Sequence, residues 1–358
     1  MKKIFFCGIF IFLFMSHYDV YAQTKYYNAD QFLLLGKGVS ETSTRYERLP
    51  DSLKSIIRER LWELSQNTAG MSIRFSSNST TISAKWVARF NNSMNHMTPT
   101  GIKGLDLYCL EKGKWRFVNS ARPTGKSNQA TIVSNMSPED REYMLYLPLY
   151  DGITSLSIGV DSLSSISKPK IDPFSKKKPV VFYGTSILQG GCASRPGMAS
   201  TNQIGRRLNR ETINFGFSGN AFLDLEIAHC MAAIDADAFV LDFVPNASVE
   251  QINERAVNFY TILRNKHPYT PIIFIEDPIF THTYYDQRIA REVQRKNKAI
   301  NSFFDSLKKK GEKNIYMISS KKMLGDDAEA TIDGIHFTDL GFIRYVDLIL
   351  PYLEKVLK

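Results

Sequence analysis

The chain has 358 residues and a formal net charge of +9, with 43% hydrophobic and 23% charged residues. Domains usually hold ~100–200 residues, so this length predicts two domains, and the composition excludes collagen-like, disordered and coiled-coil proteins. The basic runs lack interleaved aromatic residues, which favours a solvated face over nucleic-acid binding and leaves an anionic polysaccharide or a membrane surface as alternatives.

Residues 1–22 have the pattern of a secretory signal peptide. Lys2 and Lys3 precede an apolar run over 4–15, and Ala22 stands at a position that a signal peptidase recognises. The run is short for a membrane span of ~20 residues, and an uncleaved membrane anchor is the alternative interpretation. We therefore expect cleavage near Ala22, no stable membrane insertion of the mature chain, and export to the periplasm, the cell surface or the extracellular space.

Three cysteines follow this segment: Cys109, Cys192 and Cys230. An exported domain held by disulfides would carry more of them, and their spacing along the chain fits no metal site. We expect buried structural thiols and at most one disulfide among the three.

Residues 23–165 are predicted to form an antiparallel, jelly-roll-like β-sandwich. Short apolar runs with alternating polar positions are typical of strands, and Gly, Asn, Ser and Pro separate them here. One amphipathic helix is predicted over 52–64. A linker rich in Ser, Lys and Pro follows over 166–179. The predicted strands cover 71–75, 81–90, 104–111, 114–118, 130–133, 143–149 and 153–160.

In residues 180–358 apolar strands alternate with amphipathic helices, which predicts a three-layer α/β/α domain around a parallel sheet. Active groups in such a fold lie beyond the carboxyl ends of the strands. The predicted strands cover 180–184, 211–215, 238–244, 271–276 and 315–318, and the predicted helices cover 198–209, 223–231, 248–265, 289–309 and 338–356.

The first of these strands leads into a glycine-rich turn that carries Ser186, a candidate nucleophile. The dinucleotide motif G-x-G-x-x-G and the phosphate-loop motif are both missing from this turn. The nucleophile elbow G-x-S-x-G is also incomplete, because Leu188 occupies its last position. Taken alone, the turn is explained equally well as a structural feature.

Two further strand ends and the start of the last predicted helix supply groups that fit acyl transfer. Gly219 and Asn246 offer N–H donors without a net charge, which suits an oxyanion hole, although a turn glycine and a residue before a helix cap are simpler interpretations. Asp333 precedes His336 by three residues on a predicted tight turn, so its carboxylate can orient the imidazole. A nucleophile, oxyanion donors and an Asp/His pair together meet the requirements for acyl transfer.

These residues resemble the conserved blocks of the SGNH (GDSL-type) hydrolases. The first block is similar to 184–186, with Thr185 in place of the usual Asp, and the second is similar to 214–219. The third block, G-x-N-D, keeps only Asn246, and the fifth, D-x-x-H, is intact over 333–336. A two-domain branch of the family carries an N-terminal G-x-D-L-Y motif, present here as Gly104-Leu105-Asp106-Leu107-Tyr108, and a Gly-Gly-Cys-Ala-Ser-Arg-Pro-Gly run, present here over 190–197.

The resemblance implies a flavodoxin-like catalytic domain and a serine esterase that needs no cofactor and no metal. It makes Ser186 the nucleophile, His336 the general base and Asp333 the residue that orients it. The oxyanion hole is formed by the N–H groups of Ser186 and Gly219 and by the Asn246 amide.

Exported two-domain members resemble carbohydrate esterases, so we expect a short acyl ester, O-acetyl on a carbohydrate, as the substrate. The alternatives are a lipid or thioester acylhydrolase, and a glycan-binding protein with a decayed active site, which the altered third block would favour. Asp277, Thr281 and His282 follow the fourth strand of the parallel sheet and are candidates to reach the cleft, with a hydrogen-bonded loop as the simpler interpretation. Four aromatic residues are candidates to stack on sugars, with the core as the alternative: Trp86, Trp115, Tyr183 and Tyr284.

Overall fold

The computed structural model describes residues 23–171 and 177–358. The predicted signal peptide over 1–22, and residues 172–176 of the predicted linker, lie outside the described residues. The strands are Thr24–Asn28 (β1), Leu33–Leu35 (β2), Ser72–Ser77 (β3), Ile82–Ala88 (β4), Leu105–Glu111 (β5), Lys114–Ala121 (β6), Ser127–Val133 (β7), Arg141–Tyr146 (β8), Ile153–Asp161 (β9), Ile166–Ser167 (β10), Val180–Gly184 (β11), Thr212–Gly216 (β12), Ala238–Asp242 (β13), Ile272–Ile275 (β14) and Ile315–Ile318 (β15). The α-helices are Glu59–Ser65 (α1), Pro99–Lys103 (α2), Ser186–Gln189 (α3), Ser200–Leu208 (α4), Leu225–Ala232 (α5), Val249–Lys266 (α6), Gln287–Lys309 (α7) and Asp339–Val356 (α8).

The N-terminal part contains two antiparallel sheets with a shared core. One sheet has the order β1-β9-β4-β7, and the other has the order β10-β3-β8-β5-β6 with β2 added to β3. Phe75 of β3 and Trp86 of β4 are both buried in one hydrophobic cluster between the sheets. Alternate side chains of each strand point into this cluster, as expected for packed antiparallel sheets, and the predicted β-sandwich is confirmed.

The C-terminal part is built on a parallel sheet with the strand order β12-β11-β13-β14-β15. All five residues of β11 are buried. Val181 and Tyr183 belong to the core on one face of the sheet, whereas Val180 and Phe182 belong to the core on the other. Helices cover both faces, so the predicted three-layer, flavodoxin-like α/β/α fold is confirmed.

The helix predicted over 52–64 is shorter in the structure. A single 3-10 turn covers Asp51–Leu53, and the α-helix α1 begins only at Glu59. Arg58 before it is extended, and its guanidinium donates hydrogen bonds to the carboxylate of Asp224 and the side chain of Asn220. This tertiary contact holds the backbone out of the helical conformation that the apolar spacing favours.

The N-terminal segment, residues 36–65, packs on the C-terminal half of the molecule as well as on the sandwich, whose core includes its Tyr46. Leu49, Leu61 and Leu64 are buried in the same core as Tyr183 of β11. A side chain at Gly38 would meet Ile213 Cγ2 at 2.8 Å, so only glycine allows the chain to approach β12 so closely.

Arg48 of the N-terminal segment fixes the carboxyl end of β12. The buried guanidinium donates to the carbonyl oxygens of Asn214 at 3.1 Å and Gly216 at 2.7 Å. It also donates to the carbonyls of Leu64 at 2.6 Å and Asn67 at 2.8 Å. One side chain thus satisfies backbone acceptors from both halves of the molecule, which ties the turn after β12 to the N-terminal half.

The Asp and Tyr of the G-x-D-L-Y motif hold a loop of the C-terminal half. Asp106 is fully buried and accepts hydrogen bonds from Arg195 at 2.8 Å and from the Gly197 N–H at 2.9 Å. The Tyr108 hydroxyl accepts from Arg195 at 2.7 Å, and a Cβ at Gly197 would lie 2.4 Å from that hydroxyl. The motif is therefore an interdomain contact, and it explains why the loop over 195–197 carries arginine and glycine.

Cys109, Cys192 and Cys230 are free thiols, so no disulfide links the three. Cys109 and Cys192 are buried as expected, and Cys230 is half-buried. Burial raises the pKa of Cys109 and of Cys230 to about 11. Among the described residues, no helix has both the length and the apolar character needed to cross a membrane.

Candidate active site

Ser186 lies just beyond the carboxyl end of β11, where the sequence places the candidate nucleophile. It is the first residue of α3, and the Thr185 hydroxyl caps that helix by accepting from the Ile187 N–H at 3.3 Å. The Tyr150 hydroxyl of the N-terminal half donates to the Ser186 carbonyl at 3.1 Å. Ser186 is only 7% exposed, so its hydroxyl opens into the cleft while its backbone is held from both sides.

The structure brings together the three residues predicted to form the charge system. Ser186 Oγ lies 3.0 Å from Nε2 of His336, which is 150 positions later in the chain. Nδ1 of His336 lies 2.7 Å from Oδ2 of Asp333. Because a carboxylate can only accept, these partners assign the proton to Nδ1 and leave Nε2 free to accept from Ser186.

A tight turn holds Asp333 against the imidazole. Oδ1 of Asp333 accepts from the N–H groups of Ile335 at 3.0 Å and His336 at 2.7 Å, and Gly334 has a positive φ of 86°. Partial burial acts to raise the pKa of Asp333, but the hydrogen bonds from His336 and Ile335 lower it below the usual value. The carboxylate therefore stays ionised and can stabilise an imidazolium.

Gly219 and Asn246, the predicted oxyanion donors, line the same cavity as Ser186. Gly219 has a φ of +66°, and a side chain there would meet no atom within 4 Å, so its backbone faces open space. Oδ1 of Asn246 accepts from the Ala221 N–H at 3.3 Å, which leaves the NH₂ group of this amide as the donor for the cavity.

The two glycine-rich turns beside Ser186 are bonded to each other. Asn214 on β12 donates to the Leu188 carbonyl at 2.8 Å and accepts from the Gly216 N–H at 2.8 Å. The Ser218 N–H donates to the side chain of Gln189 at 2.9 Å. A Cβ at Gly216 would lie 2.3 Å from the Gln189 nitrogen. This packing sets the position of the turn that carries Gly219 relative to Ser186.

A cavity of about 460 Å³ opens beside Ser186, and most of its walls are apolar. A second cavity of about 420 Å³ shares Ser218 with the first and is lined otherwise by the N-terminal half, including Arg60, Phe90 and Asn92. The first cavity is lined by Thr185, Ser186, Ile187, Ser218, Gly219, Pro245, Asn246, Asp277, Phe280, Arg288, Ile289, Glu292, Val293, Lys296, Ile335 and His336. The cleft thus offers an apolar side on the catalytic domain and a polar side at the sandwich.

Of the three candidates after β14, only Asp277 lines the first cavity. Within residues 23–171 and 177–358 its Oδ1 has no hydrogen-bond partner, so a fully hydrogen-bonded loop does not describe this carboxyl group. His282 instead packs beneath Gly334, where its Cδ2 would lie 2.9 Å from an added Cβ. Thr281 accepts a long hydrogen bond of 3.5 Å from Thr331. Both of the latter residues support the loop that carries Asp333 and His336.

The aromatic residues considered for sugar stacking do not line either cavity. Trp86 and Tyr183 are buried in the two cores, and Trp115 is half-buried beneath the guanidinium of Arg74 at 4.8 Å. Tyr284 is 72% exposed. Phe90 and Tyr150, which the sequence did not single out, are the aromatic residues that line the second cavity.

His96 is a further site residue that sequence reasoning missed. It comes from the N-terminal half, and its ring centroid lies 5.5 Å from that of His336. Ligand atoms of His96, Cys192 and His336 all lie within 4.8 Å of one another, and such a nitrogen and sulfur set suits zinc. A metal there would occupy the histidine that Ser186 requires, so it would block the charge system rather than assist it.

Two family models match the chain: the GDSL-like Lipase/Acylhydrolase family over residues 177–354, and the N-terminus of Esterase_SGNH_hydro-type, named GxDLY, over residues 24–166. No curated protein matches. A structure described as a GDSL-like lipase from Bacteroides ovatus ATCC 8483 is 40% identical, with a TM-score of 0.89, covering 94% of this chain and 98% of that one.

Two more distant structures share the fold. The salicylyl-acyltransferase SsfX3 from a tetracycline biosynthetic pathway is 14% identical with a TM-score of 0.74, covering 90% of this chain and 94% of its own. A family two carbohydrate esterase from Clostridium thermocellum, in complex with cellohexaose, is 10% identical with a TM-score of 0.56, covering 80% of this chain and 92% of its own.

Proposed function

The chain belongs to the GDSL-like lipase/acylhydrolase family and is a hydrolase of ester bonds, and from that premise we propose that it is a serine esterase with Ser186 as its nucleophile. The observation that carries the proposal is the chain of contacts from Ser186 Oγ to His336 at 3.0 Å and from His336 to Asp333 at 2.7 Å. These distances allow a proton to move from the hydroxyl to the imidazole without rearrangement.

In the first step His336 Nε2 takes the proton of Ser186 as Oγ attacks the ester carbonyl. Asp333 holds the ring in the required tautomer and stabilises the imidazolium that forms. His336 then returns the proton to the departing alcohol, and the acyl group stays on Ser186 Oγ. Water, deprotonated by the same imidazole, releases the acid and restores the serine.

The negative charge on the carbonyl oxygen would be held by the N–H groups of Ser186 and Gly219 and by the Asn246 amide. All three line the cavity beside the nucleophile, and the Asn246 amide is oriented by its bond to the Ala221 N–H. Loss of one such donor typically lowers turnover ~10²–10³-fold. We therefore expect Asn246→Ala to reduce kcat by that factor.

For the substrate we propose an acylated carbohydrate, with O-acetyl groups as the first candidates. The polar second cavity with Phe90 on its wall supports this, since sugars combine polar edges with an apolar face. One structural neighbour, a carbohydrate esterase, is described in complex with cellohexaose. Export by the predicted signal peptide over 1–22 would bring the enzyme to such substrates, and this also remains a proposal.

A second candidate is an ester with a longer acyl group. The first cavity has an apolar wall formed by Phe280, Ile289 and Val293, and its volume of about 460 Å³ exceeds what an acetyl group fills. Burying each additional CH₂ there would stabilise the bound substrate by about 0.8 kcal/mol. A chain-length series of 4-nitrophenyl esters distinguishes the two candidates, because only an acyl-binding cavity raises kcat/KM as the chain grows.

The test of the proposal is the Ser186→Ala variant. We expect it to fold as the wild type does, to lose hydrolysis of 4-nitrophenyl acetate, and to lose labelling by a fluorophosphonate probe. His336→Ala should be as damaging, and Asp333→Asn milder. Hydrolysis by Ser186→Ala at the wild-type rate would overturn the assignment, and acetate release from acetylated xylan, pectin and host-type glycans would identify the alcohol.

A further inference from the structure

Asp277 carries an unpartnered carboxyl oxygen at the wall of the cavity beside the nucleophile. The residue follows β14, is only 2% exposed, and lines the first cavity together with Ser186 and His336. Its Oδ1 has no hydrogen-bond partner among the described residues. A buried polar atom without a partner destabilises the folded state, so an arrangement of this kind calls for a reason.

The position of Asp277 is set by hydrogen bonds to its backbone on both sides. Its N–H donates to Oδ1 of Asn297 at 2.7 Å, and its carbonyl accepts from Nδ2 of the same amide at 3.0 Å. Asn297 belongs to α7, whose Ile289 and Val293 form part of the cavity wall. The side chain is therefore directed into the cavity by a fixed backbone, while the bonds that fix it leave the carboxyl group unused.

The charges around Asp277 nearly balance. Lys296, Arg288 and Glu292 line the cavity from α7, and His336 faces it from the opposite side. Lys296 is engaged with the Pro245 carbonyl at 3.0 Å. Burial raises the pKa of Asp277 to about 7, although the charge of Lys296 acts to lower it. The group is thus neither permanently charged nor neutralised by a direct ion pair within the described residues.

A second buried acid nearby shows the contrast. Asp242, at the end of β13, is also buried, and burial raises its pKa to about 7. It accepts a hydrogen bond of 2.6 Å from the Tyr345 hydroxyl and does not line the cavity. The protein therefore supplies a partner for the acid that faces the core, and leaves unpartnered the acid that faces the substrate cavity.

We propose that Asp277 binds a hydroxyl group of the substrate and so selects esters whose cavity-bound portion carries one; this rests on the function proposed above. A hydroxyl fits either protonation state, because it can donate to the carboxylate and accept from the protonated acid. A cationic group fits less well, since Lys296 and Arg288 share the cavity. The hydroxyl belongs either to the alcohol, as in a sugar, or to a hydroxylated acyl chain.

Two matched substrate pairs test the proposal and show whether the bound hydroxyl belongs to the acyl group or to the alcohol. The acyl pair is 4-nitrophenyl 6-hydroxyhexanoate against 4-nitrophenyl hexanoate, and the alcohol pair is an O-acetylated methyl glucoside against cyclohexyl acetate. For the wild type and for Asp277→Leu and Asp277→Asn, the measured quantity is the ratio of kcat/KM within each pair. In the pair whose hydroxyl reaches Asp277, we expect Asp277→Leu to lower the ratio of the hydroxylated to the unhydroxylated ester about tenfold to a hundredfold, since a hydrogen bond to a charged group is lost. Asp277→Asn, which keeps an acceptor, should lower it less.

Thermal melting of the same variants distinguishes substrate recognition from a structural role. Removing an unpartnered buried carboxyl should leave Tm unchanged or raise it, whereas Asp242→Leu, which removes the acceptor of the Tyr345 hydroxyl, should lower it. A fall in Tm for both Asp277 variants with unchanged ratios in both pairs would show a structural role and overturn the inference alone. If the wild type hydrolyses none of the four esters and fluorophosphonate does not label Ser186, the proposed function fails with it.

Discussion

Replacing Asp106 tests whether the G-x-D-L-Y motif locks the two halves together. The carboxylate is fully buried and accepts hydrogen bonds from Arg195 at 2.8 Å, the Gly197 N–H at 2.9 Å and the Ser120 hydroxyl at 2.6 Å. Asp106→Ala leaves one cation and two donors without their acceptor. Breaking a buried ion pair in this way costs about 3–5 kcal/mol of unfolding free energy.

The assay is urea denaturation followed by tryptophan fluorescence, with hydrogen exchange of peptides over 190–199. We expect Asp106→Ala to lower the unfolding free energy by about 4 kcal/mol and to accelerate exchange in that loop. Asp140→Asn is the matched control, because the Asp140–Lys170 pair has side chains that are 57% and 55% exposed. Exposed pairs contribute about 0–1 kcal/mol. The reasoning is refuted if the two variants lose equal stability, or if Asp106→Ala loses less than about 1 kcal/mol.

Three more outcomes follow from the structure. Gly216→Ala should prevent correct folding or strongly lower Tm, because its Cβ would lie 2.3 Å from a backbone nitrogen. Gly219→Ala, with a φ of +66° and no atom within 4 Å of its Cβ, should lower the unfolding free energy by only about 1 kcal/mol. Melting curves of the two variants compare these effects. Burial raises the pKa of Asp242 and Asp277 to about 7, above the unfolded value of ~3.9, so the folded state binds extra protons between those values and stability falls as pH rises through that window. Asp277→Asn should therefore lose less stability than the wild type between about pH 4 and about pH 7 in urea titrations, and an equal loss would contradict this. Zinc ions should inhibit ester hydrolysis reversibly, with recovery on chelation, and His96→Ala should weaken the inhibition. If zinc inhibits the variant and the wild type equally, zinc does not bind at His96, Cys192 and His336.

The parallel sheet was predictable because its strands are short, apolar and buried on both faces. Every residue of β11, β12 and β13 is buried, and such runs leave a clear signal in the sequence. The Asp333–His336 pair was predictable for a different reason: its geometry is local, set within one turn by contacts three residues apart. The approach of Ser186 to His336, 150 positions apart, was expected from the family resemblance, which makes them nucleophile and base, and not from local spacing.

The features that sequence reasoning missed depend on contacts between distant parts of the chain. His96 reaches His336 only because the two halves dock, and no local pattern marks it. Arg58 interrupts the predicted helix through its hydrogen bond to Asp224. That partner is 166 positions away, so the local sequence pattern does not reveal the contact. The orphaned oxygen of Asp277 becomes visible only when burial is known, since an acid after a strand is ordinarily solvated or hydrogen-bonded.

The path of residues 36–65 has a consequence for how this architecture can be divided or recombined. This N-terminal segment precedes most of the sandwich in the chain, yet its Leu49, Leu61 and Leu64 complete the core of the opposite half. A gene fragment that starts near residue 177 would therefore produce a hydrolase fold with an uncovered apolar face. Exchange of sandwiches among relatives by recombination must carry this segment along with the catalytic part it covers.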